Sequence, residues 1–83
     1  MNQEIMILKG QIADSKHRLK ELDLEASGLI ISIRANLNPY EDDITKLKIP
    51  EARVSMKRLY AIYNEMVILK KRVADMEEGL ANG

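Results

Sequence analysis

Apolar residues recur at alternating spacings of three and four along most of this chain of 83 residues. Such spacing places them on one side of an α-helix, at positions a and d of a heptad repeat labelled a to g. In the first half, with Ile5 at position a, the ten seam positions are Ile5, Leu8, Ile12, Ser15, Leu19, Leu22, Ala26, Leu29, Ile33 and Asn36. Eight of these ten are apolar, and the row predicts a long helix over residues 3–37.

The second half repeats the pattern without a break in spacing. Its nine seam positions are Ala52, Ser55, Leu59, Ile62, Met66, Leu69, Val73, Met76 and Leu80. Pro50 and Glu51 are residue types that favour a helix start. The sequence therefore predicts a second long helix over residues 50–80.

A helix-capping signal separates the two long segments. Asn38 is of a type preferred at an N-cap, Pro39 suits the first helical position and Glu41 suits the third, as in a capping box. This signal predicts a short helix over residues 39–47. The chain is thus expected to be all-α, with one domain over residues 1–83: an antiparallel helical hairpin of two long helices with a short connecting helix.

An alternative reading ends the first helix near Gly28. The stretch LIISI would then be a strand paired with ITKLKI at residues 44–49, since β-branched residues are common in both. The heptad spacing that continues through Ile33 favours the helix. The sequence leaves residues 29–37 open between the two.

The last long segment carries a second apolar stripe beside its seam, formed by Met56, Tyr60, Tyr63, Val67 and Ala74. Two helices that share one seam cover only one face each, so this stripe requires a further partner. A homodimer that forms a four-helix bundle is the simplest closed arrangement, although the direction of docking is left open. Tyrosine is enriched at interaction hot spots, but packing at the edge of the core would also explain the two tyrosines.

The first helix also has apolar residues away from its seam. Leu24 and Ile31 fall at f positions, and Ile30 and Leu37 fall at e positions. The short helix could fold back and cover Leu24 and Ile31. The side chains that would do so are Ile44, Leu47 and Ile49.

Charge and composition exclude several classes of protein. Lysine plus arginine and aspartate plus glutamate number 13 each, so no net charge favours an anionic partner. No cysteine is present, which excludes disulfides and agrees with a reducing cytoplasm. The first residues lack the pattern of a signal peptide, and apolar runs such as LII are far too short to span a membrane. A cytoplasmic protein without membrane contact is expected.

Few residues suggest chemistry. Asp14, His17 and Glu21 follow a spacing that brings three metal ligands to one helix side, but His17 lies at an f position where solvent is expected. No serine has a histidine at a spacing typical of a nucleophile and its base, and no glycine-rich phosphate loop occurs. We expect no enzymatic activity, no cofactor and no resident metal.

The main alternative function is that of a nucleic-acid-binding accessory protein. A basic ridge on the last helix would contact phosphates through Lys57, Arg58, Lys70, Lys71 and Arg72. However, Asp75, Glu77 and Glu78 follow directly, and no aromatic residues alternate with the basic ones. The sequence favours a non-enzymatic module for self-association or protein interaction, of the coiled-coil type, over this alternative.

The stretches IRANLNPYEDD and IPEA resemble small all-helical proteins encoded by Mu-like prophages. The resemblance implies a cytoplasmic accessory protein of phage origin. It transfers no functional residue to this chain and specifies no activity.

Overall fold

Two long α-helices make up most of the protein in a computed structural model, which describes residues 2–82. Helix α1 (Asn2–Asn36) has 35 residues and helix α2 (Ile49–Asn82) has 34. Ion pairs join residue 16 to residue 77 and residue 25 to residue 58, so the helices run antiparallel. The Cα atoms occupy 64 × 17 × 16 Å, which makes the hairpin a thin rod. The expectation of an all-α helical hairpin is confirmed.

The predicted heptad positions form the seam between α1 and α2. Within residues 3–82, every buried side chain is aliphatic and lies at one of them: Ile12, Leu22, Ile33, Ala52, Ile62, Leu69 and Val73. Leu22 and Ile62 are 0% and 1% exposed, and with Leu69 they form the centre of the core. Ile5 is 40% exposed because it lies at the open end of the hairpin, beyond Leu80, the last seam residue of α2.

The connection between the helices, residues 37–48, differs from the predicted short helix over residues 39–47. We call this connection the corner. It consists of a turn followed by one 3-10 helix, Ile44–Lys46. Asn38 Oδ1 accepts a hydrogen bond from the backbone N–H of Tyr40 at 3.0 Å, and the Asn38 carbonyl accepts one from Glu41 at 3.2 Å. These local bonds close a turn and compete with helical ones.

Acidic side chains explain why the corner does not become a longer helix. Glu41 Oε1 accepts a hydrogen bond from the Asp43 N–H at 3.1 Å, so it does not reach back to Asn38 as a capping box requires. Asp43 itself has an extended backbone and accepts from the Thr45 N–H at 3.0 Å. Asp43 is therefore the N-cap of the 3-10 helix. It lies five residues after Asn38, the N-cap that the sequence predicts.

The strand alternative for residues 29–37 is wrong. Helix α1 continues through LIISI to Asn36, and Ile33 packs in the seam as the heptad spacing requires. Residues 44–46 are helical rather than extended. Since the seam needs apolar residues at its corner end, packing overrides the preference of isoleucine for strands.

Candidate interaction surface

One edge of the seam is lined by two arginine–glutamate pairs. Arg18 donates two hydrogen bonds to the Glu65 carboxylate, from Nε at 2.8 Å and from Nη2 at 3.2 Å. Arg58 donates to Glu25 in the same two-pronged way, from Nε at 2.6 Å and from Nη2 at 2.8 Å. With Ala52 taken as position a of α2, all four residues fall at g positions. This edge is therefore occupied by charged groups that satisfy one another.

The two pairs also affect protonation. The hydrogen bonds from Arg18 hold the pKa of Glu65 below its ordinary value, and those from Arg58 do the same for the pKa of Glu25. Both arginines have raised pKa values for the reciprocal reason. The four groups remain charged at neutral pH, as structural ion pairs do. None of them has the raised carboxylate pKa that often marks a general acid.

The opposite edge of the seam is formed by e positions. Lys16 Nζ lies 3.0 Å from Glu77 Oε2, and both residues occupy e positions of their helices. Because the helices are antiparallel and the heptad repeats, each step of seven residues toward the corner brings another two e positions to face each other. We call each facing pair an e pair. From the open end to the corner, the e pairs are 16/77, 23/70, 30/63 and 37/56.

The two e pairs next to the corner are apolar and exposed. The register set by Lys16–Glu77 places Ile30 opposite Tyr63. It also places Leu37 opposite Met56; Leu37 directly follows α1, and its N–H still donates to the Ile33 carbonyl at 2.9 Å. The neighbouring b positions of α2 continue this surface with Tyr60 and Val67. We call these six residues the apolar face, and each of them is between 41% and 65% exposed.

The two tyrosines of the apolar face lie against each other. Their ring centroids are 6.4 Å apart and their planes differ by 11°, which is a stacked arrangement. The stacking leaves both rings largely open to solvent, at 65% exposure for Tyr60 and 61% for Tyr63. Their hydrophobic surface is therefore available for contact with another molecule.

The structure separates the interface residues predicted from the sequence into two groups. Met56, Tyr60, Tyr63 and Val67 lie together on the apolar face. Leu24 and Ile31 lie at f positions, on the side of α1 that points away from α2, and they are 77% and 69% exposed. Leu24 and Ile31 therefore face a different direction from the four residues of α2.

The corner does not cover Leu24 and Ile31, contrary to the expectation that the connecting segment folds over them. Ile44, which was expected to contribute to this cover, is 70% exposed, and Ile49 is 44% exposed. The reason is that the corner is a turn with a single 3-10 helix, which is too short to provide an apolar stripe.

Ile30 and Leu37 complete the apolar face from the side of α1. The sequence places both at e positions but does not show which residues of α2 they face. The residues of α2 that they face depend on the register between the two helices, and the Lys16–Glu77 ion pair establishes this register. The antiparallel pairing of e with e positions is the signal that could have identified them.

The predicted basic ridge is spread around α2. At about 100° per residue, its five residues fall at positions e, f and g rather than in one row. Arg58 is bound to Glu25, and Lys71 Nζ lies 3.9 Å from Asp75 Oδ2. The five residues are Lys57, Arg58, Lys70, Lys71 and Arg72.

The structure places His17 next to Glu21 on the surface of α1. His17 Nε2 lies 3.6 Å from Glu21 Oε1 on an exposed helix side. In the part of the chain that the structure describes, no three His, Cys, Asp or Glu side chains are grouped so as to hold a metal ion. Neither α1 nor α2 has a segment both long and apolar enough to cross a bilayer.

Comparisons with protein-family models, with curated proteins and with solved structures found no significant match to this chain.

Proposed function

We propose that this chain is a non-enzymatic helical module that associates with a second copy of itself through the apolar face. The observation that carries the proposal is the half-exposed state of six large apolar side chains on one side of the hairpin near its corner. Burying such a side chain fully is worth about 1.5–3 kcal/mol. An exposed apolar face formed by six large side chains on a thin rod therefore favours association with another molecule.

The two edges of the seam support the choice of surface. The g edge is lined by Arg18–Glu65 and Arg58–Glu25, which are mutually satisfied and gain little from a partner. The e edge near the corner has no charged residue at its e positions, since both e pairs there are apolar. Association through the e edge therefore removes apolar surface from water without separating an ion pair.

Two neighbouring residues provide a matched test. Val67 belongs to the apolar face, whereas Ile68 lies about 100° further around α2, toward the g edge. They are similarly exposed, at 52% and 57%. Replacing Val67 or Ile68 with glutamate introduces the same charge at a similarly exposed position of α2. The two variants differ in whether this charge lies on the apolar face.

The experiment is sedimentation equilibrium at tens of micromolar with the wild type, Val67→Glu and Ile68→Glu. We expect a dimer for the wild type and for Ile68→Glu, and a monomer or a dissociation constant at least tenfold higher for Val67→Glu. Circular dichroism would establish that all three remain helical. A folded, monomeric wild type would overturn the proposal, and so would equal effects of the two substitutions.

A cytoplasmic location belongs to the same proposal. The lack of cysteine supports it, since a thin hairpin outside the reducing compartment would commonly be reinforced by disulfides.

A further inference from the structure

The e edge changes in character along the rod. Its two e pairs next to the corner are apolar, and its two e pairs toward the open end each combine one acidic and one basic residue. Read from the corner, the e pairs are Leu37/Met56, Ile30/Tyr63, Asp23/Lys70 and Lys16/Glu77. Every e pair is thus self-compatible: apolar with apolar, or acid with base.

We propose that two copies dock through the e edge with their corners at the same end, about a twofold axis parallel to the rod. This inference rests on the proposed self-association and specifies its geometry. Rotation about such an axis leaves each residue at the same position along the length of the rod. It reverses the left-to-right order of α1 and α2 on the docking face. Helix α1 of one copy therefore lies antiparallel against α2 of the other, completing a four-helix bundle.

The contacts that follow between e positions pair apolar residues with apolar residues and acids with bases. Ile30 meets Tyr63 of the second copy, and Leu37 meets Met56. Further along, Asp23 meets Lys70 of the second copy. Within one hairpin, no ion pair between Asp23 and Lys70 occurs among the contacts of residues 2–82, so both charges are available across the interface.

The opposite docking direction is unfavourable. A twofold axis perpendicular to the rod at its middle places the apolar half of each copy against the charged half of the other. Asp23 and Lys70, which form no ion pair with each other within residues 2–82 of one hairpin, would then lose water and face apolar side chains, which costs free energy.

Shifting the two copies until only the apolar halves overlap avoids this conflict but reduces the contact. The rod is 64 Å long and 16 Å wide, so a full-length face offers on the order of 1,000 Å² per copy. Overlap of the corner halves alone would offer about half of that, below the roughly 800 Å² per partner of a typical stable interface. Docking with both corners at one end uses the full length.

Spin labels at the two ends of the rod distinguish these directions. The chain has no cysteine, so Asp42→Cys at the corner and Glu78→Cys near the open end would each carry a single nitroxide per chain. Both replaced side chains are exposed. With one label per chain, every distance measured by pulsed electron paramagnetic resonance is between copies, and dilution with unlabelled protein must reduce the signal.

We expect distances below about 35 Å for both variants, because neighbouring helices in a bundle lie about 8–10 Å apart. Docking in the opposite direction would separate the Glu78→Cys labels by about the length of the rod, 64 Å, or by more in the shifted form. That result in a sedimenting dimer would overturn the docking direction and leave self-association standing. Loss of all dipolar signal together with a monomer in sedimentation would overturn both.

Discussion

Replacing Leu22 with alanine tests the seam on which the hairpin depends. Leu22 is 0% exposed and packs in the core formed with Ile62 and Leu69. Leu24, two residues later on the same helix, is 77% exposed and provides a control of the same residue type. Alanine has a slightly better helix propensity than leucine, so neither change weakens α1 itself.

The expected magnitude follows from burial. A leucine truncated in a core usually costs about 2–5 kcal/mol, from the lost apolar transfer and from the cavity left behind. The rod is only two helices thick, so its neighbours can relax into part of the space, and we expect about 2–3 kcal/mol for Leu22→Ala. At Leu24 the change should stay within about 0.5 kcal/mol, as for most surface substitutions.

Urea unfolding followed by circular dichroism at 222 nm would measure both values, at one protein concentration because association contributes to stability. For a chain of this size, the loss at Leu22 corresponds to roughly 10–20 °C in melting temperature. Equal costs at the two positions would refute the seam register. A large cost at Leu24 alone would place the core on the other side of α1.

Four further predictions concern individual side chains of the two helices and the corner. Gly28→Ala should raise the melting temperature by a few degrees in thermal unfolding, because an added Cβ meets no atom within 4 Å and helix propensity improves by about 1 kcal/mol. Glu25 and Glu65 have lowered pKa values in the hairpin, so they stabilise it above the unfolded-state pKa of about 4.3 and lose this contribution as pH falls further. A melting temperature unchanged between about pH 6 and pH 3 would contradict this. Arg18→Gln should lower the melting temperature in low salt, and the difference from the wild type should shrink at about 1 M salt if screening governs the pair. Asp43→Ala should remove the cap of the 3-10 helix and speed amide hydrogen exchange at Thr45, whereas unchanged exchange would show that the cap is dispensable.

The long helices were predictable because their seam is periodic. All nine predicted seam positions of α2 are buried or half-buried, and so are nine of the ten in α1, with Ile5 as the exception. Burial on one side of a helix requires this spacing, so the spacing of apolar residues is enough to predict the two helices.

The corner was not predictable in the same way. Proline and a capping signal at Asn38 also suit a turn, and the choice depends on which backbone N–H groups the side chains of Asn38, Glu41 and Asp43 take.

The interaction surface was likewise predictable only in part from the sequence. The second stripe of α2 is visible in the sequence because its members share one helix. Its extension by Ile30 and Leu37, and its separation from Leu24 and Ile31, depend on how α1 is aligned against α2.

By itself, then, the order of residues determined that two amphipathic helices form and which side of each is covered. The backbone of an α-helix repeats about every 3.6 residues, so the spacing of apolar side chains along the sequence indicates which side of the helix is covered. Only the tertiary structure decided which residues face each other across the two edges. That alignment is a relation between residues dozens of positions apart, set jointly by the seam and by the ion pairs beside it.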